Sequence, residues 1–190
     1  MTHELRITGG RLRGRKLALQ KDNRARYTSS KVRQAIFDLV GEVVDFHVLD
    51  LFSGSGAFTV EALSRGAKTS TCVEKDGEMA RLLRDNLSRL SLDKHCLVLR
   101  MDVRYALRRL GNENRCYDLV FLDPPYEADH VKPTVAALAR YRLCRVGGLI
   151  VVEHSKREPV QSLPEGWHLA KQRSYGDTMV TVIRCGVETP

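Results

Sequence analysis

Residues 123–126 read Asp-Pro-Pro-Tyr and follow the apolar run Asp118-Leu-Val-Phe-Leu122. A carboxylate, a rigid double proline and an aromatic ring at the C-terminal tip of a buried strand make a small, planar, polar pocket. Such a pocket suits the exocyclic amino group of a nucleobase. That amine is a poor nucleophile, because its lone pair is delocalised into the ring. Hydrogen bonds from its two N–H groups to the Asp123 carboxylate and the Pro124 carbonyl favour a pyramidal, reactive nitrogen. Proline rings, Pro124 and Pro125, hold both acceptors still, which limits reorganisation in the transition state. Tyr126 is placed to stack on the base. Asp and Pro are also common in strand-ending turns, so the tetrapeptide needs a second half of the reaction elsewhere in the chain.

That half lies in Val48-Leu-Asp-Leu-Phe-Ser-Gly-Ser-Gly-Ala-Phe58. Asp50 sits inside a strand, and Gly54 and Gly56 follow in a tight turn before a helix. Glycines there let a ligand approach the backbone, and the helix start presents free N–H groups. Glu74 ends the next strand, where a carboxylate can accept both hydroxyls of a ribose. Asp102, after the third strand, is placed to reach an adenine amino group. The third glycine of a dinucleotide fingerprint is missing, since position 59 is Thr. Asp50 comes just before the turn, where it would repel phosphate and attract an amine. Those features point to a cofactor with an amino-acid end and no phosphate, S-adenosylmethionine. The alternative is that Asp50 only organises the turn.

The elements that would position these residues alternate along the chain. Apolar runs predict strands over 47–52, 69–73, 96–101, 118–122 and 148–153. Amphipathic patterns predict helices near 57–65, 76–90, 102–110 and 129–140, with Pro133 tolerable in a first turn. This alternation argues for an α/β, Rossmann-like, doubly wound and mostly parallel sheet. Residues 167–173 and 178–184 flank Ser174-Tyr-Gly-Asp177 with no room for a helix, so the sheet should end in an antiparallel hairpin. Near the N-terminus, Gly9-Gly10 and Gly14 punctuate short alternating runs between residues 5 and 17. They predict a small β-hairpin outside the main core. Ser29 or Ser30 caps a helix over 30–40, where Val32, Ile36, Leu39 and Val40 share a face. The expected division is a basic arm and linker over 1–27, the catalytic domain over 28–185, and a frayed tail over 186–190.

Charge is lopsided. Residues 1–33 contain ten Lys or Arg and two acids, so the whole net charge of +8 sits in the first sixth of the chain. A basic arm on a neutral body reads as a phosphate-binding element beside an amino-group pocket, although a solvated basic face is the alternative. Five scattered cysteines, never in a CxxC pair, read as reduced thiols, and the histidines show no metal-ligand spacing. No apolar stretch approaches the roughly 20 residues that span a bilayer, and the first residues lack the apolar core of a signal peptide. A cytoplasmic, monomeric protein is expected.

Asp50-Leu-Phe-Ser-Gly-Ser-Gly56 with Glu74, Asp102 and Asp123-Pro-Pro-Tyr126 resembles the amino-methyltransferases that use S-adenosylmethionine. Arg6-Ile-Thr-Gly-Gly-Arg-Leu-Arg-Gly-Arg-Lys16, Arg26-Tyr-Thr-Ser-Ser-Lys-Val-Arg-Gln-Ala-Ile-Phe37 and Glu61-Ala-Leu-Ser-Arg-Gly66 are similar to the RsmD-type enzymes. That family methylates the N2 amine of a guanine in 16S ribosomal RNA. The resemblance runs from about residue 5 to 184. It implies a seven-stranded sheet and cofactor contacts at Asp50, Phe52, Gly54, Ser55, Gly56, Glu74, Asp102 and Val103. It also implies catalysis at Asp123, Pro124, Pro125 and Tyr126, and contact with 16S rRNA or the small ribosomal subunit through Arg11, Arg13, Arg15, Lys16, Arg24, Arg26 and Arg33. The chain departs from the family pattern at Tyr27, where a proline is usual, and at Gln34, where an acid is usual. Runner-up readings are a DNA adenine-N6 or cytosine-N4 methyltransferase and a non-catalytic RNA-binding scaffold. The absence of a large insertion between the motifs argues against the first, and intact Asp123 and Tyr126 argue against the second.

Overall fold

A computed structural model of the chain describes residues 5–20, 28–125 and 130–186. Seven strands form one sheet: β3 (His47–Leu51), β4 (Thr69–Glu74), β5 (Cys96–Arg100), β6 (Tyr117–Leu122), β7 (Cys144–Ser155), β8 (His168–Tyr175) and β9 (Thr178–Arg184), in the order β5-β4-β3-β6-β7-β9-β8. The first five run parallel. β9 is antiparallel to both β7 and β8, as the short Ser174–Asp177 connection requires. The topology reverses between β3 and β6, the place where ligands collect at the carboxyl ends of an open sheet.

Helices cover both faces, which is why the central strands read as nearly continuous apolar runs. α1 (Ser30–Val40) starts at Ser29, whose hydroxyl accepts from the Val32 N–H. α2 (Ala57–Ser64) is buried along almost its whole length, and its polar residues Thr59, Glu61 and Ser64 all find hydrogen-bond partners there. α3 (Gly77–Arg89) and α4 (Val103–Asn112) are capped by the carboxylates of Asp76 and Asp102. α5 (Val131–Arg140) carries Pro133 in its first turn, where the missing N–H costs nothing. One core packs α1, α2 and α3 on the sheet around Phe37, Phe58 and Phe121. The other packs α4 and α5 on the opposite face around Leu107, Leu110 and Leu138.

Three sequence expectations change. β1 (Leu5–Arg6) and β2 (Lys16–Leu17) do form a hairpin, but it is not outside the core. Leu5, Ile7 and Leu17 are buried in the same apolar cluster as Ile36 and Phe58. The hairpin docks through a buried carboxylate: Glu61 accepts from the Thr8 N–H (2.9 Å) and hydroxyl (2.7 Å) and pairs with Arg33 (3.1 Å) and Arg65 (3.0 Å). Gly10 lies so close to α2 that a Cβ would sit 1.9 Å from the Ser64 carbonyl oxygen, so no other residue fits. β7 begins at Cys144 rather than Gly148, because Tyr117 pairs with Cys144 and Leu119 with Leu149 across a bulge. The bulge and the end of β9 bring Cys144 and Cys185 together as a disulfide, against the expectation of free thiols; their separation of 41 residues hid that proximity.

Candidate active site

The turn after β3 is built by hydrogen bonds rather than by glycine alone. Phe52 has a positive φ of 60°, a costly conformation for a side chain of that size. Ser53 locks the turn: its N–H donates to the Val73 carbonyl (3.0 Å), and its hydroxyl donates to the Asp50 carbonyl (2.6 Å). Gly54 donates its N–H to Glu74 (2.9 Å), which ties β3 to β4 at their carboxyl ends. Gly56 opens α2 in the left-handed region, and a Cβ there would meet Leu83 at 2.2 Å. The Asn86 amide donates to the Ser55 carbonyl (3.0 Å) and exchanges hydrogen bonds with the Ala18 backbone, so the basic hairpin and this turn share one anchor.

Asp50 does not reach a ligand from here. Its carboxylate accepts from the Thr59 N–H (3.2 Å) and hydroxyl (2.7 Å), and the side chain is buried away from the cavity. The turn-organising alternative therefore replaces a direct contact with a cofactor amine. Thr59 at the missing third glycine supplies both donors. Burial pushes the Asp50 pKa up to about 7, against the hydrogen bonds from Thr59 and with a further push from the charge of Glu74.

A cavity of about 890 Å³ opens at the carboxyl ends of β3, β4, β5, β6 and β7. Of the site residues named from the sequence, Phe52, Gly54, Ser55, Glu74, Asp102, Val103, Asp123, Pro124 and Pro125 line it. Glu74 faces it while accepting from Gly54 and, at 2.9 Å, from the Asp76 N–H, which leaves lone pairs for hydroxyl donors. Asp102 stands at its edge beside Arg104 (3.0 Å), whose hydrogen bond holds the carboxyl below the usual range. The Phe52 ring meets the His130 ring at a centroid distance of 5.5 Å across the mouth. Gly56 lies behind the turn, outside the lining.

Among the cavity residues that the sequence reading missed, Thr28 and Glu153 stand beside Asp123. The Thr28 hydroxyl lies 3.1 Å from Asp123 Oδ2 and 2.9 Å from Glu153 Oε2. Thr28 stands within a stretch noted for its resemblance, and that was its only signal. Glu153 was hidden as the end of an apolar strand. Tyr126, Arg24 and Arg26 lie outside the described residues. Arg11, Arg13, Arg15 and Lys16 are exposed on the hairpin. Arg33 is not a nucleic-acid contact: it is 0% exposed and holds Glu61 and the Arg6 carbonyl. Its place three and four residues before Ile36 and Phe37 puts it on the buried face of α1. Among the described residues, no group of three or more His, Cys, Asp or Glu is placed to hold a metal, and no helix is long and apolar enough to cross a membrane.

Parallel sheet, glycine turn, strand-end carboxylate and Asp-Pro-Pro loop around one cavity define a Rossmann-like methyltransferase. The family model described as Conserved hypothetical protein 95 matches residues 5–184. The chain belongs to that family, the RsmD type. It is 33% identical over 175 residues to ribosomal RNA small subunit methyltransferase D of Haemophilus influenzae, covering 91% of this chain and 90% of that one. The Escherichia coli enzyme of the same name is 32% identical over 174 residues, with 91% and 86% covered. The solved structure of yhhF from Escherichia coli superposes with a TM-score of 0.85 at 28% identity, covering 97% of this chain and 99% of that one.

Proposed function

We propose that the protein transfers a methyl group from S-adenosylmethionine to the N2 amine of a guanine in small-subunit ribosomal RNA. One observation carries this reading: the Gly54–Glu74 turn and the Asp123–Pro125 loop open onto the same cavity. Glu74, Asp102 and Val103 suit the adenosine end of the cofactor, and the backbone of Phe52 to Ser55 suits its amino-acid end. When bound, the cofactor supplies an electrophilic methyl on a sulfonium leaving group. Asp123 and the Pro124 carbonyl accept the two amine N–H bonds and turn the nitrogen lone pair toward that methyl. Tyr126 stacks on the base. A base in a structured RNA must first swing out of its stack to enter such a cavity. Exposed Arg11, Arg13, Arg15 and Lys16, joined by Arg24 and Arg26, hold the phosphate backbone, and the hairpin that carries them is braced against the same domain. The ribosomal RNA named for the Haemophilus and Escherichia relatives favours RNA over DNA as substrate. A ribosomal RNA substrate supports a cytoplasmic location, and our reading takes the protein as a monomer.

Asp123→Ala tests the assignment. S-adenosylmethionine affinity, measured by calorimetry, should stay within about threefold, and the methyl-transfer rate should fall by about 10²–10³. A rate near that of the unchanged protein would remove Asp123 from the mechanism.

A further inference from the structure

The Asp123 carboxylate has a companion. β6 and β7 run parallel with Leu122 opposite Val152, so Asp123, just past the end of β6, stands beside Glu153, which is still paired with Val180 of β9. Strand alternation sends their neighbour His154 to the other face, where it meets the Thr181 hydroxyl at 2.9 Å. Glu153 is 6% exposed and lines the cavity. The Thr28 hydroxyl lies within hydrogen-bond distance of both carboxylates, and each carboxylate has lone pairs enough to accept from more than one donor. Asp123, Pro124 and Glu153 all line this end of the cavity, so two carboxylates and one backbone carbonyl are on hand as acceptors for an incoming base.

The edge of a base that matches three acceptors is one with three adjacent N–H bonds. Adenine and cytosine place a bare ring nitrogen, an acceptor, beside the exocyclic amine. A second carboxylate would repel it. Guanine places N1–H beside its N2 amine, so the edge offers only donors there. Resting on the function proposed above and deepening it, we propose that Glu153 selects guanine by accepting N1–H while Asp123 and Pro124 hold the N2 amine. Thr28 is a positioning residue that fixes the spacing of the two carboxylates. Glu153 takes no proton in the reaction: nitrogen gains the methyl, the carbon–sulfur bond breaks with its electron pair going to sulfur, and the amine proton that is lost passes to the Asp123 carboxylate that accepts its hydrogen bond.

The test uses small subunits assembled from ligated RNA that carries either guanine or 2-aminopurine at the nucleotide the unchanged protein methylates. 2-Aminopurine keeps the amine but has a lone pair at N1. The unchanged protein should methylate guanine at least about tenfold faster. Glu153→Gln, whose amide can turn either C=O or N–H toward N1, should bring the two rates close together while keeping its affinity for S-adenosylmethionine. Equal rates with the unchanged protein overturn the role of Glu153 whether or not the variant folds. An undiminished guanine preference in Glu153→Gln, with cofactor affinity intact, overturns it too. Failure of the unchanged protein to methylate either base would instead overturn the proposed function, and this inference with it.

Discussion

Asp50 and Arg33 are buried ionisable groups whose chemistry is internal. The Asp50 carboxyl keeps its proton in the folded protein up to about pH 7, because burial disfavours the charged form. The unfolded chain releases that proton near pH 4. Between those values the folded state binds more protons, so the contribution of this group to stability falls as pH rises from about 4 to about 7, and is flat above. Asp50→Asn can still accept from Thr59 and cannot titrate. Urea unfolding at pH 5 and pH 8 should show a smaller loss of stability across that interval in the variant than in the unchanged protein. The sequence marks Asp50 as important but not which way its side chain faces, since a strand residue before a glycine turn can point into the cavity or under it. Arg33 carried a readable signal in its spacing from Ile36 and Phe37, overridden by the run of basic residues around it.

At the scale of elements, the N-terminal hairpin is held to α2 by Glu61, fully buried among Thr8, Arg33 and Arg65. Burial would raise the Glu61 carboxyl, but the Thr8 hydrogen bonds and Arg33 outweigh it and hold the carboxyl below its usual range. Glu61→Ala leaves the Arg33 charge buried without its partner. The expected loss is about 3–5 kcal/mol, or a drop of about 10 °C in melting temperature, read by calorimetry. The outer face of the hairpin should be separable from that clamp. Replacing Arg11, Arg13, Arg15 and Lys16 together with Gln should leave the melting temperature nearly unchanged and weaken RNA binding. The slope of log affinity against log salt should fall by about 1–3, measured by filter binding. Turn glycines and alternating runs made the hairpin itself legible. Its docking was not, because Leu5, Ile7 and Leu17 are too few to set a period, and Glu61 lies more than 50 residues away along the chain.

The whole molecule brings residues from five strand ends to one cavity. The strand–helix alternation, the antiparallel hairpin at the end and most of the cavity's lining follow from local patterns, because a parallel sheet leaves its carboxyl ends on one side whatever the details. Contacts between distant segments do not follow. Thr28 meets Asp123 across 95 residues and Glu153 across 125, and nothing local at Glu153 separates it from an ordinary strand end. In the proposed reading, the acceptors gathered by those contacts, with the cofactor turn at the same cavity, select an amine on a base. The measurement that tests this account most directly is methyl transfer from radiolabelled S-adenosylmethionine to small ribosomal subunits and naked 16S RNA from cells lacking this protein, followed by nucleoside analysis. The account predicts label in N2-methylguanosine. No label in either RNA, with label in duplex DNA as N6-methyladenine or N4-methylcytosine, would contradict it.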